Sequence, residues 1–249
     1  MVWIRLAMAL LVGWVTPSRE IPVGTVIPLM LSSGLDAAKD APGKSIEGKV
    51  MQKVPLPSGT GISARTRIIG HVVNVTKVGS SGSSLVVKFD ALQEEGRKTA
   101  LLTGLLAVAS MSSVAQAQIP ISTNSDAEPA TQWVTRQVGG DVVRRGWGKV
   151  ATPDDVYGTW LGETSVLIKL TPKPDAGCPD GPGYDREQAV WIFSSAACGS
   201  YGLGDIKVAS SGKNRPLGEI VLTSRRNVRV RGGSGWLLIV VAEAGRLDP

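Results

Sequence analysis

The stretch Val54–Val73, VPLPSGTGISARTRIIGHVV, decides how the rest of this chain is read. It contains the only histidine, His71, so it is either a catalytic segment or a strand, a turn and another strand. Pro57, Gly59 and Gly61 supply turn chemistry, because proline presets its backbone angle and glycine takes left-handed conformations that other residues resist. In the run that follows, strict alternation puts Ile69, His71, Val73 and Val75 on one face and Gly70, Val72 and Asn74 on the other. His71 is thus a strand residue, and the segment predicts β structure, with the face carrying Ile69 as the expected core face.

The same pattern extends in both directions. Gly24–Leu31 (GTVIPLML), Ser45–Gln52 (SIEGKVMQ), Thr66–Val78 and Ser83–Leu92 (SSLVVKFDAL) are short runs of β-branched and apolar residues. DAPGKS, LPSGTG and GSSGSS punctuate them as turns. After the polar segment 122–132 come WVTRQV, SVLIKL, AVWIF, DIKVAS, EIVLTS, NVRVRG and WLLIVVA. Thirty glycines and fifteen prolines cut a chain that is 43% hydrophobic into such pieces, as turn-rich β proteins require. The expected fold is all-β, with two sandwich- or barrel-like domains, since 249 residues exceed the usual domain of about 100 to 150. The expected boundaries are a signal peptide over 1–18, a barrel-like domain over 21–121, a linker over 122–132, a second sandwich-like domain over 133–243 and a tail over 244–249.

Two apolar runs bear on location. Leu6–Val15, preceded by Arg5 and broken by Thr16, Pro17 and Ser18, has the length of a signal peptide and falls short of the ~20 residues that span a bilayer. Arg97–Pro120 (RKTALLTGLLAVASMSSVAQAQIP) imitates it in the middle of the chain. Periodicity does not separate strand from helix in so apolar a run. Residues 101–117 are read as a buried strand followed by a loop, with a core helix as the rival. Cys178 and Cys198 are an even pair in a chain expected to be exported, which predicts a disulfide. Closing a loop of about 20 residues is worth about 3 kcal/mol in the chain-entropy model.

Residues 21–92 resemble the β-barrel domain of TrbI-like proteins of type IV secretion and conjugation machines. The resemblance rests on IPVGTVIPLMLSSGLDA, the Pro-Gly of DAPGKSIEGKV, and the PSGT turn before a strand ending near Gly70. It implies a barrel and a place in an envelope assembly. Residues 130–242, notably QVGGDVVRRG, AVWIFSSAACGSYGL and GWLLIVV, resemble exported bacterial proteins of unknown function.

Most catalytic arrangements are missing from the sequence. A Ser-His-Asp triad would have to use His71, which no nucleophile elbow accompanies. GGSGW, Gly232–Trp236, ends in Trp where that elbow needs Gly, so Ser234 reads as part of a hairpin turn. PGKS, Pro42–Ser45, has Ala38 where a phosphate-binding loop needs its first glycine. No cysteine has a metal-spaced partner, so no metal and no cofactor is expected. Asp154, Asp155, Asp175, Asp180 and Asp185 could form a carboxylate pair or hold calcium, and they carry the alternative reading, a hydrolase of envelope polymers. The leading reading is a non-enzymatic exported protein, periplasmic or secreted, that binds or builds an envelope assembly. TSRRNVRVRGGSGW, Thr223–Trp236, carries it: alternation aligns Arg225, Asn227, Arg229 and Arg231 opposite Val228 and Val230. With Arg144 and Arg145 these form a candidate surface for an anionic polymer or an envelope protein, because guanidinium groups fork onto phosphates and carboxylates. The net charge of +6 suits anionic partners, no specific nucleic acid is expected, and membrane contact would run through the N-terminal segment. N-terminal sequencing of the protein from its native host should find a chain starting between Thr16 and Glu20, and recovery of Met1 on cytoplasmic protein would refute export.

Overall fold

The computed structural model describes residues 20–59, 61–121, 133–140, 142–162, 164–171, 178, 183–210 and 216–242. The signal-peptide, linker and tail expectations, and Asp175 and Asp180, lie outside these. The first half holds β1 (Val26–Leu31), β2 (Leu35–Asp36), β3 (Ser45–Val50), β4 (Val54–Pro55) and β5 (Gly61–Ile62). It continues with β6 (Arg67–Gly79), β7 (Gly82–Glu94), β8 (Arg97–Ala100), β9 (Leu102–Ala109) and the helix α1 (Met111–Gln118). Next come β10 (Trp133–Arg136), β11 (Val142–Gly146), β12 (Lys149–Ala151), β13 (Val156–Trp160), β14 (Val166–Lys169) and β15 (Glu187–Ala189). The chain closes with β16 (Gly199–Tyr201), β17 (Lys207–Ser210), β18 (Ile220–Ser224), β19 (Arg229–Val230) and β20 (Gly235–Ala242). The protein is all-β, as its sequence predicts.

A ten-stranded sheet runs β16-β9-β20-β1-β3-β6-β7-β18-β17, with β8 beside β7. Its first and last strands, β16 and β17, are joined by only the five residues 202–206, which reach at most about 18 Å, so the sheet curls until its edges meet. Leu105 N donates to Ser210 Oγ (2.7 Å) across the seam. A second sheet runs β10-β11-β12-β13-β14-β15. The expected partition at 122–132 is not the partition of the sheets: β16, β17, β18 and β20 come from the second half of the chain and complete the sheet of the first.

The reason lies in β1, β9 and β20, which are buried on both faces. On β20, Trp236, Leu238 and Val240 face the core inside the curled sheet, while Leu237 and Ile239 face the core beneath the six-stranded sheet. On β1, Ile27, Leu29 and Leu31 point inward and Val26 outward. A strand with two dry faces must be apolar at every position, which explains the unbroken runs WLLIVV and LLAVA. Trp236 is fully buried; it meets Phe89 edge to face at 5.5 Å and its indole N–H donates to Ser234 Oγ (3.0 Å).

Two glutamines tie the layers together. Gln52, 1% exposed, accepts from Val166 N (3.1 Å) and Trp191 N (2.7 Å) through Oε1 and donates from Nε2 to Val166 O (2.9 Å). Gln188 accepts from Val26 N (3.2 Å) and donates to Gly183 O (2.7 Å).

Three sequence readings change. AVWIF is not a strand beyond Ala189: Val190–Phe193 form a fully buried turn with Trp191 at φ 51°, held by the Gln52 bond and by Phe193 N donating to Val190 O. Residues 101–117 are both strand and helix, because Ser110 caps α1 by accepting from Ser113 N (3.1 Å) and Met, Ala and Gln then favour helix over loop. On β6 the inward residues are Ile68, Gly70 and Val72, so the face of Ile69 and His71 is the outer one. His71 therefore needs no bulge to stay wet; its Nδ1 lies 2.8 Å from Asp90 Oδ2, with the two side chains 43% and 41% exposed. In VPLPSGTG the turn runs Leu56–Gly59, closed by Gly59 N donating to Leu56 O (3.0 Å) between β4 and β5.

Gln52→Leu removes the acceptor of two N–H groups, those of Val166 and Trp191, in a dry interior, while the Val166 carbonyl keeps its bond from Val190 N, and should cost about 3 to 5 kcal/mol in urea unfolding. His71→Gln should shift stability by less than about 1 kcal/mol, whereas Ile68→Asp, which buries an unpaired charge, should prevent folding.

Candidate functional site

A site assembled by described residues lies at the barrel seam, where the β6–β7 hairpin, the end of β18 and the 202–206 connection converge on a cleft of about 580 Å³. Register builds its floor. Thr76 pairs with Ser84, Ser84 with Thr223, and Thr223 with Lys207, so four neighbouring strands place three hydroxyls and an ammonium side by side. The row belongs to the outer face, since the next residues along, Val75, Leu85, Leu222 and Val208, pack on the interior. Adjacent strands stand about 4.8 Å apart, so the row is about 15 Å long. Thr76, Thr223 and Lys207 are exposed and Ser84 half-buried.

Other hydroxyls of the cleft hold the seam. Ser224 Oγ donates to Asp205 Oδ1 (3.0 Å) and accepts from Arg226 N (3.0 Å), and Arg225 N donates to Asp205 Oδ2 (3.0 Å). Ser83 Oγ donates to Arg226 O (2.7 Å) and accepts from Val228 N (2.7 Å). Asp205, in the connection that closes the barrel, thereby fixes the backbone from which Arg225 projects. The bonds from Ser224 and from Arg225 N, with the nearby charge of Arg226, hold its carboxyl below the usual carboxylate range against a smaller opposing effect of desolvation. Gly82, at φ 90°, packs against the Ser224 carbonyl, and any side chain there would strike that oxygen.

The sequence-derived residues scatter. Arg225 is exposed and lines the cleft, but from the bend after β18 and not from a strand. Arg229 and Arg231 are exposed opposite the buried Val228 and Val230, as alternation predicts; Arg229 lies 3.9 Å from Asp36 across β2. Arg144 is exposed on β11, in the other sheet. Arg145 is not a surface group: it is fully buried, because adjacent residues of a strand point to opposite faces. Cys178 and Cys198 are disulfide-bonded, with Cα atoms 5.8 Å apart.

Other motifs are absorbed by structure. Ser234 is fully buried under the Trp236 indole. Lys44 of PGKS pairs with Asp40 Oδ1 (2.7 Å) and donates to Gly34 O (3.0 Å). Asp154, Asp155 and Asp185 are exposed, and Asp155 Oδ1 accepts from Val156 N (2.7 Å) within its own turn. Among the described residues no cluster of His, Cys, Asp and Glu could hold a metal, and no helix is long and apolar enough to cross a membrane. The sequence reading missed Asp205, Lys207 and the hydroxyl row. Their signal was present as alternation in Lys207–Ser210 and Ile220–Ser224, yet cross-strand neighbours become visible only once register is known.

No known protein family matches this chain, and no curated protein matches it.

Because the folded pKa of Asp205 lies below its unfolded value, the clamp contributes fully above the unfolded carboxylate pKa of about 3.9 and is lost as pH falls through the lower, folded value. In a carboxyl NMR titration the Asp205 midpoint should fall below 3.9. Asp205→Asn should separate from wild type in stability at neutral pH, with the two converging as the medium is acidified below about pH 4.

Proposed function

We infer that this is an exported, non-enzymatic β protein of the bacterial envelope that works by binding an acidic, hydroxyl-rich polymer along the seam cleft. The observation that carries the reading is the cross-strand row Thr76, Ser84, Thr223 and Lys207, with Arg225 at its side. Hydroxyls both donate and accept, so an evenly spaced line of them suits a repeating polar chain. Lys207 and Arg225 add donors for carboxylate or phosphate groups on that chain. None of these hydroxyls hydrogen-bonds another described residue, which leaves them available to a ligand.

The bonded cysteine pair supports an oxidising compartment outside the cytoplasm, and the N-terminal apolar run supports export. The turn motifs shared with TrbI-like barrel domains favour a role within an envelope assembly. Against the hydrolase alternative, the described residues lining the cleft include one carboxylate, Asp205, already bonded to Ser224 and Arg225, and none of Asp154, Asp155 and Asp185.

The test is binding of fluorescently labelled polygalacturonate at low ionic strength, with dextran as the neutral control. Wild type should bind the polyuronate in a salt-sensitive manner and ignore dextran. Lys207→Ala and Arg225→Ala should together weaken binding about tenfold. A wild type that binds neither polymer, or a double variant that binds like wild type, would exclude this reading of the cleft.

A further inference from the structure

We propose that Arg145 holds a small monovalent anion, of the chloride or formate class, inside the core beneath the six-stranded sheet. The site is separate from the seam cleft and is built on VVRRG of β11. Arg144 and Arg145 follow one another on a strand, so one must face water and the other the core; Arg144 is exposed and Arg145 is 0% exposed. Arg145 lies between β10 and β12 with Val150 opposite it, and shares its face with Val143, to which Thr135 is the cross-strand partner. Gln137 follows Thr135 by two residues and Tyr157 arrives from β13. A register shift between Val150 and Ala151 makes Tyr157 the extra, bulged residue of β13, and its hydroxyl donates to Gln137 Oε1 (3.1 Å). Such bulges re-aim side chains.

The donors and acceptors in this place do not balance. Nε, Nη1 and Nη2 of Arg145 make no hydrogen bond, and neither does Gln137 Nε2 or Thr135 Oγ1. Because Tyr157 occupies Gln137 Oε1, the amide is fixed with its NH2 unmatched. Guanidinium and amide nitrogens only donate, and the threonine hydroxyl can donate too. The group missing from this site is therefore an acceptor.

Charge narrows the choice further. No acidic side chain among the described residues pairs with Arg145, and an uncompensated charge in a dry interior is strongly unfavourable. Burial pushes the guanidinium down to about 10, with Tyr157 acting in the opposite sense, so Arg145 still carries its proton at neutral pH. Water would satisfy the N–H groups and leave the charge. A small anion satisfies both, and the enclosure by Val143 and Val150, 1% and 0% exposed, argues for a small one.

The experiment is thermal unfolding of the full, disulfide-intact chain while sodium gluconate, too bulky to enter, is replaced by sodium chloride or sodium formate at constant ionic strength. Wild type should gain stability saturably, its Tm rising by about 5 °C once the anion reaches 100 times its Kd. Arg145→Met, which removes the charge at similar volume, should show no such rise and should be at least as stable as wild type in gluconate. Should Arg145→Met fail to fold, Gln137→Leu keeps the charge, removes the amide donors and should weaken the response. Equal wild-type Tm values across the three anions would overturn the proposal and leave buried water as the partner, as would a variant that responds to chloride like wild type.

Discussion

Everything in this molecule is arranged around three strands that are dry on both sides. β1, β9 and β20 form the wall between the interior of the curled sheet and the core under the six-stranded sheet, and each must find apolar partners in both directions. Because β1 is the first and β20 the last of the described strands, the wall requires Gly235–Ala242 to return to Val26–Leu31. Neither core is complete without it. A side chain of the size of Trp236 or Leu238, moved fully out of water, contributes about 1.5 to 3 kcal/mol or more, so the return of Gly235–Ala242 carries a large share of the stability of both halves.

A wall with two dry faces has a polar consequence, since the backbone beside it has no water to bond. Gln52 and Gln188 answer that need with side-chain amides that imitate strand pairing, one tying the end of β3 to Val166 and Trp191, the other tying β15 to Val26. Arg145 is the opposite case. It is buried by the same layer, beside Val143 and Val150, and no described acceptor meets it. Arg145 also differs from the neutral Ser194 hydroxyl, likewise buried and unmatched, in carrying a charge, and it is the charge that calls for a ligand.

Local chemistry made the strands legible and the topology was not. Alternation in Arg67–Gly79 and Gly82–Glu94, and the turns at Gly43 and Gly59, follow from residues that are neighbours in sequence. The placing of β20 between β1 and β9 depends on partners over 200 residues away on β1 and over 120 residues away on β9, and an unbroken apolar run such as WLLIVV does not show which two faces it will dry. The Ile69 face was misassigned for a related reason: Ile68, Ile69, Val72 and Val73 offer an apolar set on either face, and only the interior of the curled sheet chooses between them. Trp147 shows the limit of composition. It is 73% exposed at φ 54° on the tip of the two-residue turn between β11 and β12, a place taken for its hairpin geometry with Gly148 and not for burial.

The seam explains why the cleft is where it is. A sheet that curls to closure must bring its first and last strands together, and here the chain does so through the connection 202–206. Asp205 in that connection grips Ser224 and Arg225, and Ser83 grips 226 and 228, so the bonds that close the barrel also set the backbone beside the row Thr76, Ser84, Thr223 and Lys207. Loss of the Asp205 clamp therefore acts on binding through the position of Arg225 as well as through the charge it removes from the cleft. A variant such as Asp205→Asn keeps every hydroxyl and both cations, and any weakening of polymer binding it causes measures how far the cleft depends on closure of the barrel.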